Sequence, residues 1–185
     1  MKEHVFLPRK LDVAAFARDG ATLTGEWSAA ELQRLADSGA PEAPAASWPA
    51  VRWILTGERR EPRGAEAQVW LHLEAEAQVS LTCQRCLQPV QEALSLSRWY
   101  RFARNESEAA ELDADSEDDV LVLSRSLDAL EMVEDELLLS LPLVPRHEVC
   151  PQPLLVPQDE AADEPEAAEE RPHPFAALAA LKKDK

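Results

Sequence analysis

Two cysteines stand three positions apart at Cys83 and Cys86, with Gln84 and Arg85 between them. Thiolates at this spacing can close on one tetrahedral metal with a hairpin tip between them, as in zinc ribbons. Such a pair is half of a site. The other half has suitable chemistry in Arg-His-Glu-Val-Cys, where His147 and Cys150 lie about sixty residues further on. Cys83, Cys86, His147 and Cys150 are therefore the candidate ligands, and zinc is the candidate cofactor. Two other readings of the cysteine pair stay open. A thioredoxin-like dithiol sits at a helix N-terminus after a strand, where the helix dipole lowers a thiol pKa; here the residues after Cys86 read as turn and strand, with Pro89 close by. In the remaining reading the thiols stay reduced and merely finish a strand and its turn, with His147 in an exposed loop.

Nothing else in the chain assembles a reaction. None of its five glycines sits in a Gly-rich phosphate loop. Of the four histidines, His4 and His173 are near the termini and His72 falls inside a strand pattern, so no Ser/His/Asp arrangement emerges. Glu134 and Asp135 form an acidic pair, but on a helix such pairs usually belong to its solvated face. Arg85, at the tip between the cysteines, is a candidate contact for a phosphate or carboxylate of a partner, or else a solvated tip residue. The chain reads as non-catalytic.

The elements that must present the cysteines are β-strands. From Val69 the odd positions run Val, Leu, Leu, Ala, Ala, Val, Leu, Cys to Cys83, while the even ones are mostly polar. That is period two, the mark of a long half-buried strand. A second run, Val90 to Phe102, keeps Leu94, Leu96, Tyr100 and Phe102 in phase. Paired antiparallel, the two runs make a hairpin whose tip is Cys83-Gln-Arg-Cys86. Val51 to Glu58 and Val120 to Leu123 read as further strands.

Helices flank this core. Asp12 can cap a short helix over Val13 to Arg18, and Ser28 with Glu31 forms a capping box before Leu32, Leu35 and Ala36. A Pro/Ala stretch from Ala40 to Pro49 reads as a linker. Ser126 is placed to cap a longer helix with an apolar stripe of Leu127, Leu130, Val133, Leu137, Leu138 and Leu141, ended by Pro142. Glu131, Glu134, Asp135 and Glu136 would cover the rest of its surface. Trp70 and Trp99 fall on the polar faces of their strands, where they would cover a second sheet face or a partner surface; core packing against the N-terminal helices is the reading preferred. The fold class is α+β, an antiparallel β-sheet core with a long central hairpin, flanked by N-terminal helices and one packed helix.

Charge completes the organisation. Thirty-five acids against 19 bases give a net charge of −16. The runs 105–119 and 158–170 hold fifteen of those acids and no base; without them 20 acids face 19 bases. The folded part is thus nearly neutral, and the two acidic runs read as disordered. Residues 1–150 form a single α+β domain with an acidic loop at 103–119, followed by a disordered acidic tether at 151–171 and a short helical motif at 172–185. In that motif Phe175, Leu178 and Leu181 recur every three residues and would form one apolar stripe, folded back on the domain or offered to a partner's groove. Unaided binding to nucleic acid needs Lys and Arg against phosphates, so the charge favours a basic protein partner. No signal peptide or membrane span is recognisable, and three cysteines do not make a secreted disulfide framework, so the expected compartment is the cytoplasm.

Three segments carry a family resemblance. VSLTCQRCLQPV at 79–90, MVEDELLLSLPLVPRHEVC at 132–150 and PHPFAALAALK at 172–182 resemble, in order and spacing, the signature blocks of the YceD family of large ribosomal RNA subunit accumulation proteins. LPRKLDVAAFARDGATLTGEW, from residue 7, is more loosely similar. The resemblance implies a role in synthesis, processing or stability of 23S rRNA, hence ribosome biogenesis, without catalysis. It also implies metal and nucleic-acid binding as properties to test. The partner expected is a basic ribosomal protein or a pre-large-subunit particle; the alternative is a zinc-ribbon-like protein that touches the RNA directly.

Overall fold

Period two in the middle of the chain becomes two long neighbouring strands, and the rest of the fold is arranged around them. The structure is a computed structural model and describes residues 5–64, 66–116 and 118–151. A 3₁₀ turn at Pro8–Lys10 leads into α1 (Val13–Arg18) and β1 (Thr22–Trp27). A second 3₁₀ turn at Ala29–Glu31 precedes α2 (Gln33–Asp37), and a third at Ala45–Ser47 precedes β2 (Val51–Arg60). Then follow β3 (Gln68–Thr82), β4 (Pro89–Ala103), α3 (Glu106–Asp115), β5 (Asp119–Val122) and α4 (Ala129–Leu139). The chain divides into units 1–153 and 154–185. The expected tether beyond Pro151 and the motif with Phe175, Leu178 and Leu181 lie outside the described residues.

The five strands form one sheet in sequence order. β3 and β4 pair antiparallel without a break from Val69↔Phe102 to Thr82↔Pro89, which leaves residues 83–88 as the tip. One face of the sheet is the core: Leu55, Leu71, Leu73 and Val79 are fully buried, together with Phe16 of α1 and Val133 and Leu137 of α4. Burying each such side chain contributes about 1.5–3 kcal/mol. Helix α1 lies so close to β2 that a Cβ on Gly57 would sit 2.7 Å from the Phe16 ring and 2.8 Å from the Ala17 backbone. Asp12 caps α1 as expected, accepting from the Ala15 N–H at 3.0 Å.

Several expectations change. The sheet is mixed, because β5 runs parallel to β4. A parallel neighbour requires a crossover, and α3 supplies it from within the first acidic run. That run, expected as a disordered loop, is helical because Asn105 caps its start and Glu106 and Glu108 face the positive end of the helix dipole. The Pro/Ala stretch is packed, not a linker: Ala40, Ala45 and Trp48 are buried, and the Ala40 N–H donates to the Ser80 carbonyl at 2.8 Å. Asp128, not Ser126, caps α4, since Leu127 is held in a bridge to Leu11.

Glu134 and Glu136 are buried, not solvated. One Glu134 oxygen accepts from the backbone N–H groups of Arg34 and Leu35 at the start of α2, at 2.7 and 3.2 Å. The other accepts from the Arg34 guanidinium at 2.8 Å. Trp70 and Trp99 meet edge to face on the opposite side of the sheet from the core, with the Arg60 guanidinium 4.0 Å from the Trp70 ring and His72 stacked on Trp99. They therefore do not pack on the N-terminal helices. β1 was not apparent from the sequence. No described helix is long and apolar enough to cross a membrane.

Candidate metal centre

The hairpin tip is a tight knuckle. The Cys83 N–H donates to the Gln88 carbonyl at 3.0 Å, and the Leu87 N–H donates back to the Cys83 carbonyl at 2.9 Å. Turning the chain this sharply puts Leu87 at φ 61°, a left-handed conformation that costs a branched residue about 1–2 kcal/mol. The sheet register fixes where the knuckle sits, and the knuckle points both buried thiols, Cys83 and Cys86, to one side.

The second pair arrives on an arm. Helix α4 ends at Leu139, and residues 140–151 have no regular secondary structure. They return to the tip, where the Gln84 N–H donates to the Pro145 carbonyl at 2.9 Å. His147 Nε2 lies 3.0 Å from the Pro89 carbonyl. That carbonyl can only accept, so Nε2 is the donor and Nδ1 is the nitrogen that faces the thiols. A backbone carbonyl on the far nitrogen is the usual device that orients a ligating histidine. The guanidinium of Arg85 donates through Nε to Cys150 Sγ at 2.9 Å, and through Nη2 to the His147 and Glu148 carbonyls at 3.0 and 3.2 Å.

All four expected residues converge. The donor atoms of Cys83, Cys86, His147 and Cys150 lie within 4.8 Å of one another. Cys83 Sγ is 3.9 Å from Cys150 Sγ, and Cys86 Sγ is 3.4 Å from His147 Nδ1. Around a tetrahedral zinc with ordinary bond lengths, two sulfurs stand about 3.8 Å apart and a sulfur and nitrogen about 3.6 Å apart. Three thiols and one imidazole with this spacing fit a closed Cys3His zinc site. Burial pushes the Cys83 thiol up, but the N–H groups around it at Arg85, Cys86 and His147 outweigh that and bring it to about 5. Burial, then the neighbouring sulfurs of Cys150 and Cys83, raise Cys86. One thiolate thus forms readily and discourages the next, a repulsion that a divalent cation would remove.

The surroundings do not match a thioredoxin-like dithiol, because Cys86 leads into β4 and not into a helix. His72 is stacked on Trp99 and 2.9 Å from Ser97 Oγ, on another part of the sheet. Sequence reasoning missed the supporting groups at the centre, namely the Pro89 and Pro145 carbonyls and the inward turn of Arg85. A groove of about 510 Å³ on the non-core face is lined by Glu26, Arg52, Ile54, Glu74 and Ser97 among others.

The family profile described as large ribosomal RNA subunit accumulation protein YceD matches residues 71–182, a span that contains all four donors. A curated relative from Haemophilus influenzae, named large ribosomal RNA subunit accumulation protein YceD, is 28% identical over 182 residues, covering 97% of this chain and 98% of its own length. No solved structure matches the chain.

Proposed function

This chain belongs to the YceD family, and on that premise we propose that it is a non-catalytic, zinc-holding, cytoplasmic factor of ribosome biogenesis that sustains the synthesis, processing or stability of 23S rRNA. Its contacts are with protein, a basic ribosomal protein or a pre-large-subunit particle. The observation that carries the reading is the match to a large-subunit RNA accumulation family over a span holding both halves of the four-donor cluster.

Cys83, Cys86, His147 and Cys150 would hold the ion. A closed four-ligand zinc leaves no position for water or substrate, so what it supplies is cohesion between the hairpin tip and the arm after α4. A protein partner is supported by charge. The net charge of −16 includes acids exposed on α3, such as Glu106, Glu111 and Asp113, and a surface of that sign attracts cations and repels phosphates.

Depletion of the protein tests the reading: mature 23S rRNA should fall, or its precursors accumulate, while 16S rRNA is spared. Unchanged profiles and subunit ratios would remove the assignment. Titration with 23S rRNA fragments over a range of salt separates the two modes of contact. Binding that weakens steeply with salt would transfer the contact to the RNA phosphates.

A further inference from the structure

The two halves of the metal centre are not equally well held. Cys83 and Cys86 are fixed by the register of β3 and β4, and both are buried. His147 and Cys150 sit on an arm without regular structure, and its burial is uneven: Leu141 and Cys150 are partly buried against the core, whereas Leu143 is 100% exposed and Val149 86%. Polar contacts therefore carry much of the task of holding its exposed stretch. Two are single hydrogen bonds, from the Gln84 N–H to Pro145 and from His147 to the Pro89 carbonyl. Arg85 makes three, and they reach the last stretch of the arm, at Cys150 Sγ and the carbonyls of His147 and Glu148.

We propose that Arg85 is a positioning residue for the metal centre, latching the second pair of ligands onto the first; this rests on the zinc reading above. A planar guanidinium presents its donors in a fixed fork, so satisfying the sulfur and the two carbonyls together fixes both the place and the tilt of residues 147–150. Three thiolates around a divalent cation also leave one net negative charge, and Arg85 carries the compensating positive one. Because Arg85 is exposed, solvent screens much of that attraction. Geometry is the larger part of its action. From the sequence Arg85 reads as a contact for a partner or as a solvated tip residue; in the structure its Nε and Nη2 donate to the arm.

Cobalt(II) and zinc titrations of the wild type, Arg85→Ala and Arg85→Lys test this. The wild type should give the visible spectrum of tetrahedral cobalt with three sulfurs and one nitrogen. Arg85→Ala should keep the shape of that spectrum, since no ligand is lost, but bind zinc about 10–100-fold more weakly in chelator competition, the usual cost of losing an outer-shell partner. Arg85→Lys keeps the charge without the fork and should recover only part of the loss. Metal-free melting curves of the three proteins should coincide, which separates a latch from a general folding defect. Zinc affinity of Arg85→Ala within threefold of the wild type would overturn the inference and leave the metal site standing. Full rescue by Lys would overturn the fork. A wild type without the cobalt spectrum would remove the metal reading, and this one with it.

Discussion

Replacing Glu134 by Ala should destabilise the domain by about 2–4 kcal/mol. The carboxylate is 5% exposed and accepts from two backbone N–H groups at the start of α2, a hundred residues away in sequence. Leaving a buried donor unpaired costs about 1–3 kcal/mol. Leu35 is fully buried and its N–H has no route to water, whereas the Arg34 N–H is only partly covered and is rehydrated more cheaply. The Arg34 guanidinium adds nothing to the figure, because its side chain is 50% exposed and it keeps Asp135 as a partner. Glu134→Gln retains an acceptor for the two N–H groups and gives up only the charge, a loss of about 1 kcal/mol. Asp135→Asn, at a half-exposed site beside it, should change stability by less than about 0.5 kcal/mol. Urea unfolding followed by tryptophan fluorescence measures all three. With a slope of about 2 kcal/mol per molar, Glu134→Ala should move the midpoint down by about 1–2 M. If it unfolds with the wild type, or if Asp135→Asn falls as far, the carboxylate is not the cap of α2 and the reasoning fails.

Protein purified without chelator should carry one zinc per chain, and Cys83→Ser should lower both metal content and melting temperature, because the binding energy of a structural metal is also folding energy; elemental analysis and calorimetry read the two. Gly57→Ala should cost about 1–3 kcal/mol, since its Cβ would lie 2.7 Å from the Phe16 ring with the Ala17 backbone equally close; a lowered thermal midpoint checks it. Leu87→Gly should raise the urea midpoint slightly in spite of the lost side chain, because Leu87 is 59% exposed and its positive φ is free of strain only for glycine; a fall in the midpoint would mean that the exposed leucine contributes more than its backbone costs.

What was legible in the sequence was what repeats locally. The alternation from Val69 to Cys83 identified β3, its partner run identified β4, and together they put Cys83 and Cys86 at a tip. His147 and Cys150 were found by donor chemistry alone, and the fold places them beside the first pair. What failed depended on partners far along the chain. Glu134 resembles its solvated neighbours until Arg34 and Leu35 are brought to it. Arg85 looks like a free tip cation until the arm returns over it. β1 is short, and Gly25 interrupts its alternation because the Trp53 indole occupies the space above it. The acidic run looked too charged to fold, but a strand running parallel to β4 needed a crossover and the run begins with a good cap.

The separation of the two donor pairs also sets a sequence of events during synthesis. Cys86 and His147 are 61 residues apart, and β4, α3, β5 and α4 all lie between them. At about 5–20 residues per second, the first pair leaves the ribosome roughly 3–12 seconds before the second. Throughout that interval the nascent chain displays two neighbouring thiols that can oxidise to each other or capture metal in a half-filled site. The complete set of donors exists only after α4 has docked on the sheet and swung its arm back to the tip. On the zinc reading, full tetrahedral coordination would therefore be a late event, and its appearance would mark a chain in which β4, α3, β5 and α4 have already folded.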